Sequence, residues 1–170
     1  RAAAVRLAPA EMLADLCALK DEQEVIVLAH LAIRLSAANL AHADQALAEL
    51  LVAHGDNALV REGALTGSRG REVALAKAVA TRGNATNLKQ TGPTLEGLAA
   101  LISQAGKAGP FEGMLEIAAS LGDRTNLRAA ILRGLDQSTR DPKTKKAVPL
   151  KTIWLNAEPA ALAKLKKTVT

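Results

Sequence analysis

The sequence contains very few aromatic residues. Its 170 residues include one Phe, one Trp and no Tyr, although 49% of the chain is apolar. A core without aromatic rings must be filled by Ala, Leu, Val and Ile. Ala and Leu are strong helix formers, whereas the aromatic and β-branched residues that favour strands are few. The composition therefore predicts an all-α fold.

The chain also lacks the residues of a metal or catalytic centre. Its single cysteine, Cys17, excludes an internal disulfide and any cysteine-based metal cluster. Three histidines, His30, His42 and His54, recur at intervals of twelve, but no Cys, Asp or Glu accompanies them in a ligand spacing such as HExxH. No serine stands in a recognisable nucleophile motif. We therefore predict no catalytic residue, no metal and no cofactor, and hence no enzyme.

Long apolar runs are absent as well. No stretch approaches the ~20 residues that a membrane-spanning helix needs. The chain starts at Arg1 rather than Met and shows no signal peptide. We therefore expect a piece of a longer protein, and the sequence by itself leaves the localisation unknown.

Charge is distributed unevenly along the chain. The formal net charge is +5, but residues 1–139 contain 14 Lys and Arg against 15 Asp and Glu, whereas residues 140–170 contain 8 against 2. The basic excess therefore belongs to a tail, which favours a linker, with contact to nucleic acid or an acidic partner as the alternative. We expect two regions: a helical repeat domain over 1–139, and over 140–170 a basic linker with a C-terminal helix that packs on the last repeat.

Apolar periodicity predicts eight or nine helices of about 10–15 residues, joined by short loops. Residues 81–93 are the most loop-like internal segment, and Thr94 is expected to begin the next helix. The helix from Val25 to Leu35 is apolar nearly all round, so we expect it to be buried on both sides. The predicted helices lie near 9–20, 25–35, 40–54, 56–67, 71–80, 94–105, 111–121, 125–135 and 158–167.

The stretch Asp56–Gly67, DNALVREGALTG, resembles other parts of the chain. We interpret Asp56 as the N-cap, Val60 and Leu65 as core, and Gly67 as the stop. An offset of 35 aligns it with DEQEV at 21–25 and, further on, with Leu95. An offset of 67 aligns REGAL with RAAIL at 128–132, and Gly67 with Gly134. A helix-pair period in the thirties indicates an α-solenoid.

Within 56–67, Asp followed four residues later by Val60 and then Arg61 resembles the second helix of a HEAT repeat. A narrower resemblance rests on HGDNALVREGALTGSRGRE at 54–72 and TLEGLAALISQAGKAGPFEGMLEIAASLG at 94–122. These stretches resemble the helical repeat region of large planctomycete and verrucomicrobial proteins described as membrane-bound dehydrogenases or PVC-type haem-binding proteins. The resemblance implies a bacterial, extracytoplasmic, multidomain parent. The chain lacks the CxxCH motif of covalent haem, so it would be a non-catalytic middle segment.

The function expected from these patterns is that of a HEAT-like scaffold, protein-interaction or spacer domain. Its partners would be neighbouring domains or another protein rather than a small molecule. The alternative is a nucleic-acid-binding or DNA-glycosylase-like HEAT module, which the neutral body and the lack of aromatics disfavour. Arg61, Arg69 and Arg71 have no structural role visible in the sequence, and Trp154 is a large aromatic of the kind that anchors interfaces. These four residues are the predicted partner contacts.

Overall fold

The computed structural model describes residues 24–37, 41–137, 153, 155 and 157–167. These residues form eight α-helices and no strand, which confirms the all-α class. The helix predicted near 9–20 and the linker predicted after Ser138 lie outside the described residues. The helices are α1 (Val25–Ala37), α2 (Ala41–His54), α3 (Ala58–Gly67), α4 (Glu72–Arg82), α5 (Leu88–Ala105), α6 (Ala108–Ser120), α7 (Thr125–Gln137) and α8 (Ala160–Lys167).

The helices alternate between two layers. Helices α1, α3, α5 and α7 form the odd layer, and α2, α4, α6 and α8 form the even layer, because each helix contacts the next but one along the chain. The most extensive contacts join α5 to α7 and α1 to α3. Neighbours in sequence connect the layers, as α1 does with α2 and α4 with α5. This stacking is that of an all-α helical repeat fold.

The core lies between the layers and is built from aliphatic side chains. The predicted apolar stripes of α5 and α7 are buried, as are four of the five positions predicted on α2, with His54 half-buried. In α6, Phe111 is half-buried at the edge of the core. The largest fully buried side chains are Leu28, Leu35, Leu47, Leu50, Leu51, Leu75, Leu95, Leu98, Ile102, Met114, Leu127 and Ile131.

The offset of 67 residues is a structural repeat. α2 begins at Ala41 and α6 at Ala108, and α3 begins at Ala58 and α7 at Thr125. A buried serine on α1 and its equivalent on α5 each donate a hydrogen bond to the next odd-layer helix. Ser36 bonds the carbonyl of Gly63 at 3.3 Å, and Ser103 bonds that of Leu135 at 2.9 Å. We refer to α1–α3 as the first unit and to α5–α7 as the second unit.

Glycines mark the closest approach of the odd-layer helices. A methyl group on Gly67 would meet the side chain of Ser36, and one on Gly134 would meet the carbonyl of Glu96 and lie 2.7 Å from the Cβ of Ala99. Both glycines therefore permit a backbone approach that any larger residue would prevent. Since they are 67 residues apart, the repeat includes the packing of α3 on α1 and of α7 on α5.

The helix after the long loop begins earlier than predicted. α5 starts at Leu88, so Leu95 lies in its interior and does not open a helix, and Pro93 lies inside the helix. Pro93 is exposed, and so is Lys89, whose carbonyl loses its helical donor to the proline ring. Because water can satisfy that carbonyl, the helix continues through the proline. The expectation that Thr94 begins the helix was wrong for this reason.

Two further expectations are corrected. Asn57, not Asp56, is the N-cap of α3, because its side-chain oxygen accepts from the backbone amides of Leu59 at 3.0 Å and Val60 at 3.4 Å. α1 is not buried on both sides, since Ile26 and Ile33 are exposed on its outer surface. Its leucines alone supply the core side, and an apolar composition does not specify which faces of a helix acquire neighbours.

Candidate interaction surface

Arg61 bonds the end of a helix. It lies on α3, and its Nη1 donates to the carbonyl of Gly55, 2.9 Å away and just beyond α2. Its equivalent 67 residues later, Arg128, donates from Nη2 to the carbonyl of Gly122, just beyond α6. Carbonyls at a helix C-terminus lack intrahelical donors and carry the negative end of the helix dipole, so a guanidinium stabilises them. Arg61 therefore has a structural role that its sequence pattern did not reveal.

Arg71 connects three elements at the start of α4. Its Nη1 forms an ion pair with Asp44 of α2 at 2.6 Å, and its Nη2 donates to the carbonyl of Ser36 near the end of α1. The Arg71 and Asp44 side chains are 17% and 21% exposed, so the pair is largely shielded from water. A charged bond of this kind is stronger than one between neutral groups. Arg71, too, has a structural role.

Arg124 completes a pattern of helix-capping arginines. Its Nη1 donates to the carbonyls of Ala80 and Gly83, the latter at 3.1 Å, at the end of α4. With Arg71, Arg61 and Arg128, it places guanidinium groups on the C-terminal ends of α1, α2, α4 and α6. These four cations bond carbonyls of the fold itself.

Arg69 differs from the other two predicted arginines. It is exposed in the loop between α3 and α4, where Gly70 adopts a φ of 86° and leaves the chain projecting outward. No hydrogen bond or ion pair joins it to another residue in the described part of the chain. Partner contact by Arg69 stays a prediction. Trp154 lies outside the described residues, so its predicted partner contact is unchanged as well.

The histidines are dispersed. His30 is exposed on α1 and His54 is half-buried in the last turn of α2, while the His42 side chain lies outside the described part. Within the described residues, no group of three or more His, Cys, Asp or Glu side chains is arranged to hold a metal ion. None of the helices described is long and apolar enough to cross a membrane.

The large exposed apolar side chains of the described residues all lie on the odd layer. Three of them flank the junction of α1 and α3: Ile26 is 68% exposed, Leu59 61% and Ile33 42%. The fourth, Leu132, is 38% exposed on α7. We call the surface formed by Ile26, Ile33 and Leu59 the α1–α3 groove. Exposed apolar clusters of this kind mark interaction sites more often than scattered single residues do.

The equivalent junction in the second unit is polar. Its groove, with a volume of about 260 Å³, is lined by Pro93 and Asn126 at the positions equivalent to Ile26 and Leu59. An ion pair joins Glu96 to Arg133 across it, with 3.2 Å between Oε2 and Nε. We call this the α5–α7 groove. Because the two junctions have the same packing, the fold does not require apolar residues at these outer positions.

A larger open cleft of about 580 Å³ lies between α6 and α8. Carboxylates line it on both sides, with Glu112 and Glu116 on α6 and Glu158 before α8, and Lys164 contributes a cation. Glu158 also forms an exposed ion pair with Lys166, 2.5 Å between the charged atoms. Solvent-exposed carboxylates paired to nearby lysines are the ordinary composition of a hydrated surface.

Comparison of the chain with protein-family models, curated proteins and solved structures gives no match. Inference about function therefore depends on the surfaces described above.

The α1–α3 groove is the feature that the sequence reading missed. An apolar helix was taken to be buried, and this hid the isoleucines that face outward. The signal that could have found them is the 67-residue offset itself, which aligns Ile26 with Pro93, Ile33 with Ala100 and Leu59 with Asn126. Positions that are small or polar in one unit need not be apolar for the fold of the other.

Proposed function

We propose that the chain is a non-catalytic helical repeat scaffold, a protein-interaction or spacer domain within a larger multidomain protein. The observation that carries this proposal is the contrast between a repeated interior and divergent outer surfaces. Serine, glycine and arginine contacts recur 67 residues apart and maintain the stack. The outer groove residues do not recur. Repeat domains commonly present such variable outer surfaces to other proteins.

The capping arginines support a scaffold rather than a nucleic-acid module. Binding of the phosphate backbone depends on grouped cations that are free to contact it. Here Arg61, Arg71, Arg124 and Arg128 bond carbonyls of the fold. The body is also close to neutral, and the basic excess is confined to 140–170.

The term HEAT-like describes the stacking in this proposal. Half of the 67-residue repeat is shorter than the roughly 40–47 residues typical of HEAT and armadillo units. The two layers and the helix-pair unit support the comparison, whereas the unit length departs from it. The resemblance to planctomycete and verrucomicrobial multidomain proteins belongs to the same proposal, with a redox centre expected in another part of the parent chain.

The coding sequence on either side of Arg1 and Thr170 tests the multidomain part of the proposal. We expect at least one further domain in the same reading frame. A CxxCH motif downstream of Thr170 would place the chain in a redox protein. A reading frame that encodes this segment alone would contradict the spacer role.

Duplex DNA binding at low salt tests the alternative. Four tail lysines, Lys143, Lys145, Lys146 and Lys151, are replaced by Gln in the full chain, and binding is followed by fluorescence anisotropy. The scaffold proposal predicts that any salt-sensitive binding disappears, because the remaining cations are not grouped for phosphate contact. Salt-sensitive binding that persists in this variant would favour the nucleic-acid module instead.

A further inference from the structure

The α1–α3 groove has an apolar centre that the fold does not explain. Ile26, Leu59 and Ile33 expose between 42% and 68% of their surface. The equivalent positions of the second unit carry Pro93, Asn126 and Ala100, and α7 packs on α5 there all the same. Exposing large apolar side chains to water is unfavourable, so three of them at one junction indicate a surface that is covered in a complex.

The two sides of this groove carry opposite charge. On the α1 side His30 and Arg34 are exposed, and on the α3 side Glu62 is exposed. Gly63 packs against Ala32 and Gly67 against Ser36, so α1 and α3 run parallel, with each residue of α1 level with the α3 residue 31 positions later. Glu62 is therefore level with the turn of α1 that lies between His30 and Arg34.

A surface with this pattern is complementary to itself. A two-fold axis along the groove places α1 of one copy over α3 of the other, because both helices run in the same direction. The apolar centres then meet, and the basic side of each copy faces Glu62 of the other. Such an isologous contact uses the same patch twice and closes on itself.

We propose that the α1–α3 groove binds the same groove of a second copy of this chain. The contact is small. α1 has 13 residues and is therefore about 20 Å long. Two helices of this size offer roughly 400 Å² per copy, about half of the ~800 Å² per partner that stable complexes bury. The dimer is accordingly weak and reversible, with a dissociation constant on the order of 100 μM.

Sedimentation equilibrium of the full chain, from about 5 μM to 1 mM, tests the proposal. We expect a monomer at the low end and a growing dimer fraction above roughly 50 μM. Leu59→Asn introduces the residue found at the equivalent position, and it weakens the dimer at least about tenfold. The matched control is Leu132→Asn, an exposed leucine outside the groove, which leaves the dimer unchanged. A chain that stays monomeric at 1 mM, or equal weakening by both variants, would overturn the proposal.

A charge exchange tests the orientation. Glu62→Arg places like charges opposite each other and weakens the dimer about tenfold, whereas the double variant Glu62→Arg with Arg34→Glu restores it. Both residues are exposed, so neither change threatens folding. Failure of the second substitution to restore association would overturn the two-fold arrangement. The outcome is independent of the scaffold proposal, since a monomeric chain could still position neighbouring domains.

Discussion

The α1–α3 groove and the α5–α7 groove occupy equivalent positions 67 residues apart, and they differ in chemistry. The first has Ile26 and Leu59 at its centre, whereas the second has Pro93 and Asn126. Beneath both grooves the contacts are the same kind: a buried serine bonds the next helix, and a glycine allows close approach. The interior of the unit is repeated, and its outer surface is not.

This difference separates the residues that determine the fold from those that are free to serve a partner. A contact inside the stack is fixed by geometry, because only a small residue fits between two close helices. An exposed position imposes no such requirement, so its residue type reflects another role. Substitutions at equivalent positions in the two units test that separation.

The largest effect is expected at the interhelical glycines. Gly67→Ala and Gly134→Ala should each lower the free energy of unfolding by about 2 kcal/mol, because the added methyl meets Ser36 or the backbone of Glu96. Urea unfolding followed by circular dichroism measures the loss.

Gly109→Ala is the matched control for these glycines. Nothing lies within 4 Å of a methyl group at Gly109, in the first turn of α6. Alanine is the better helix former by up to about 1 kcal/mol, so this variant should be neutral or stabilised. If only one of Gly67→Ala and Gly134→Ala is destabilised, the two units do not share their packing.

The next effect concerns an anchor that only the first unit has. Arg71 pairs with Asp44, whereas the positions 67 residues later carry Ser138 and Phe111. Arg71→Ala should cost about 1–2 kcal/mol, since it leaves the largely shielded Asp44 carboxylate without its partner. Hydrogen exchange should increase in α1 and α2 more than in α6. The control Arg69→Ala, at an exposed loop position, should change stability by less than about 0.5 kcal/mol. Equal losses in both variants would refute the anchoring role of Arg71.

These arginines show how far the sequence predicts this molecule. The all-α class, the core stripes of α5 and α7 and the 67-residue repeat follow from composition and periodicity, because they reflect burial on a regular helix. The roles of Arg61 and Arg71 could not be predicted, because their acceptors are carbonyls at the ends of other helices and carry no side-chain signature. The α1–α3 groove was missed for a similar reason, since an apolar pattern does not reveal which faces remain uncovered.

A smaller effect is expected at the buried serines. Ser103→Ala removes a 2.9 Å bond to the carbonyl of Leu135 and should cost about 1 kcal/mol. Ser36→Ala should cost less, because its bond to Gly63 is longer, at 3.3 Å, and its hydroxyl also bonds the carbonyl of Ile33 within α1. Thermal unfolding of both variants gives the order. The reverse order would show that these interhelical distances do not govern stability.

The smallest effect is expected in the grooves. Leu59→Asn should change the free energy of unfolding by less than about 0.5 kcal/mol, measured in urea well below the concentration of dimer formation, because the side chain is already 61% exposed. The exchange Asn126→Leu in the second unit should be equally neutral. The buried pair gives the contrast: Val60→Ala and Leu127→Ala, at equivalent positions in the core, should each be clearly destabilising, by about 2 kcal/mol or more. If Leu59→Asn proved as costly as Val60→Ala, the groove would be part of the folding core, and its apolar residues would need no partner.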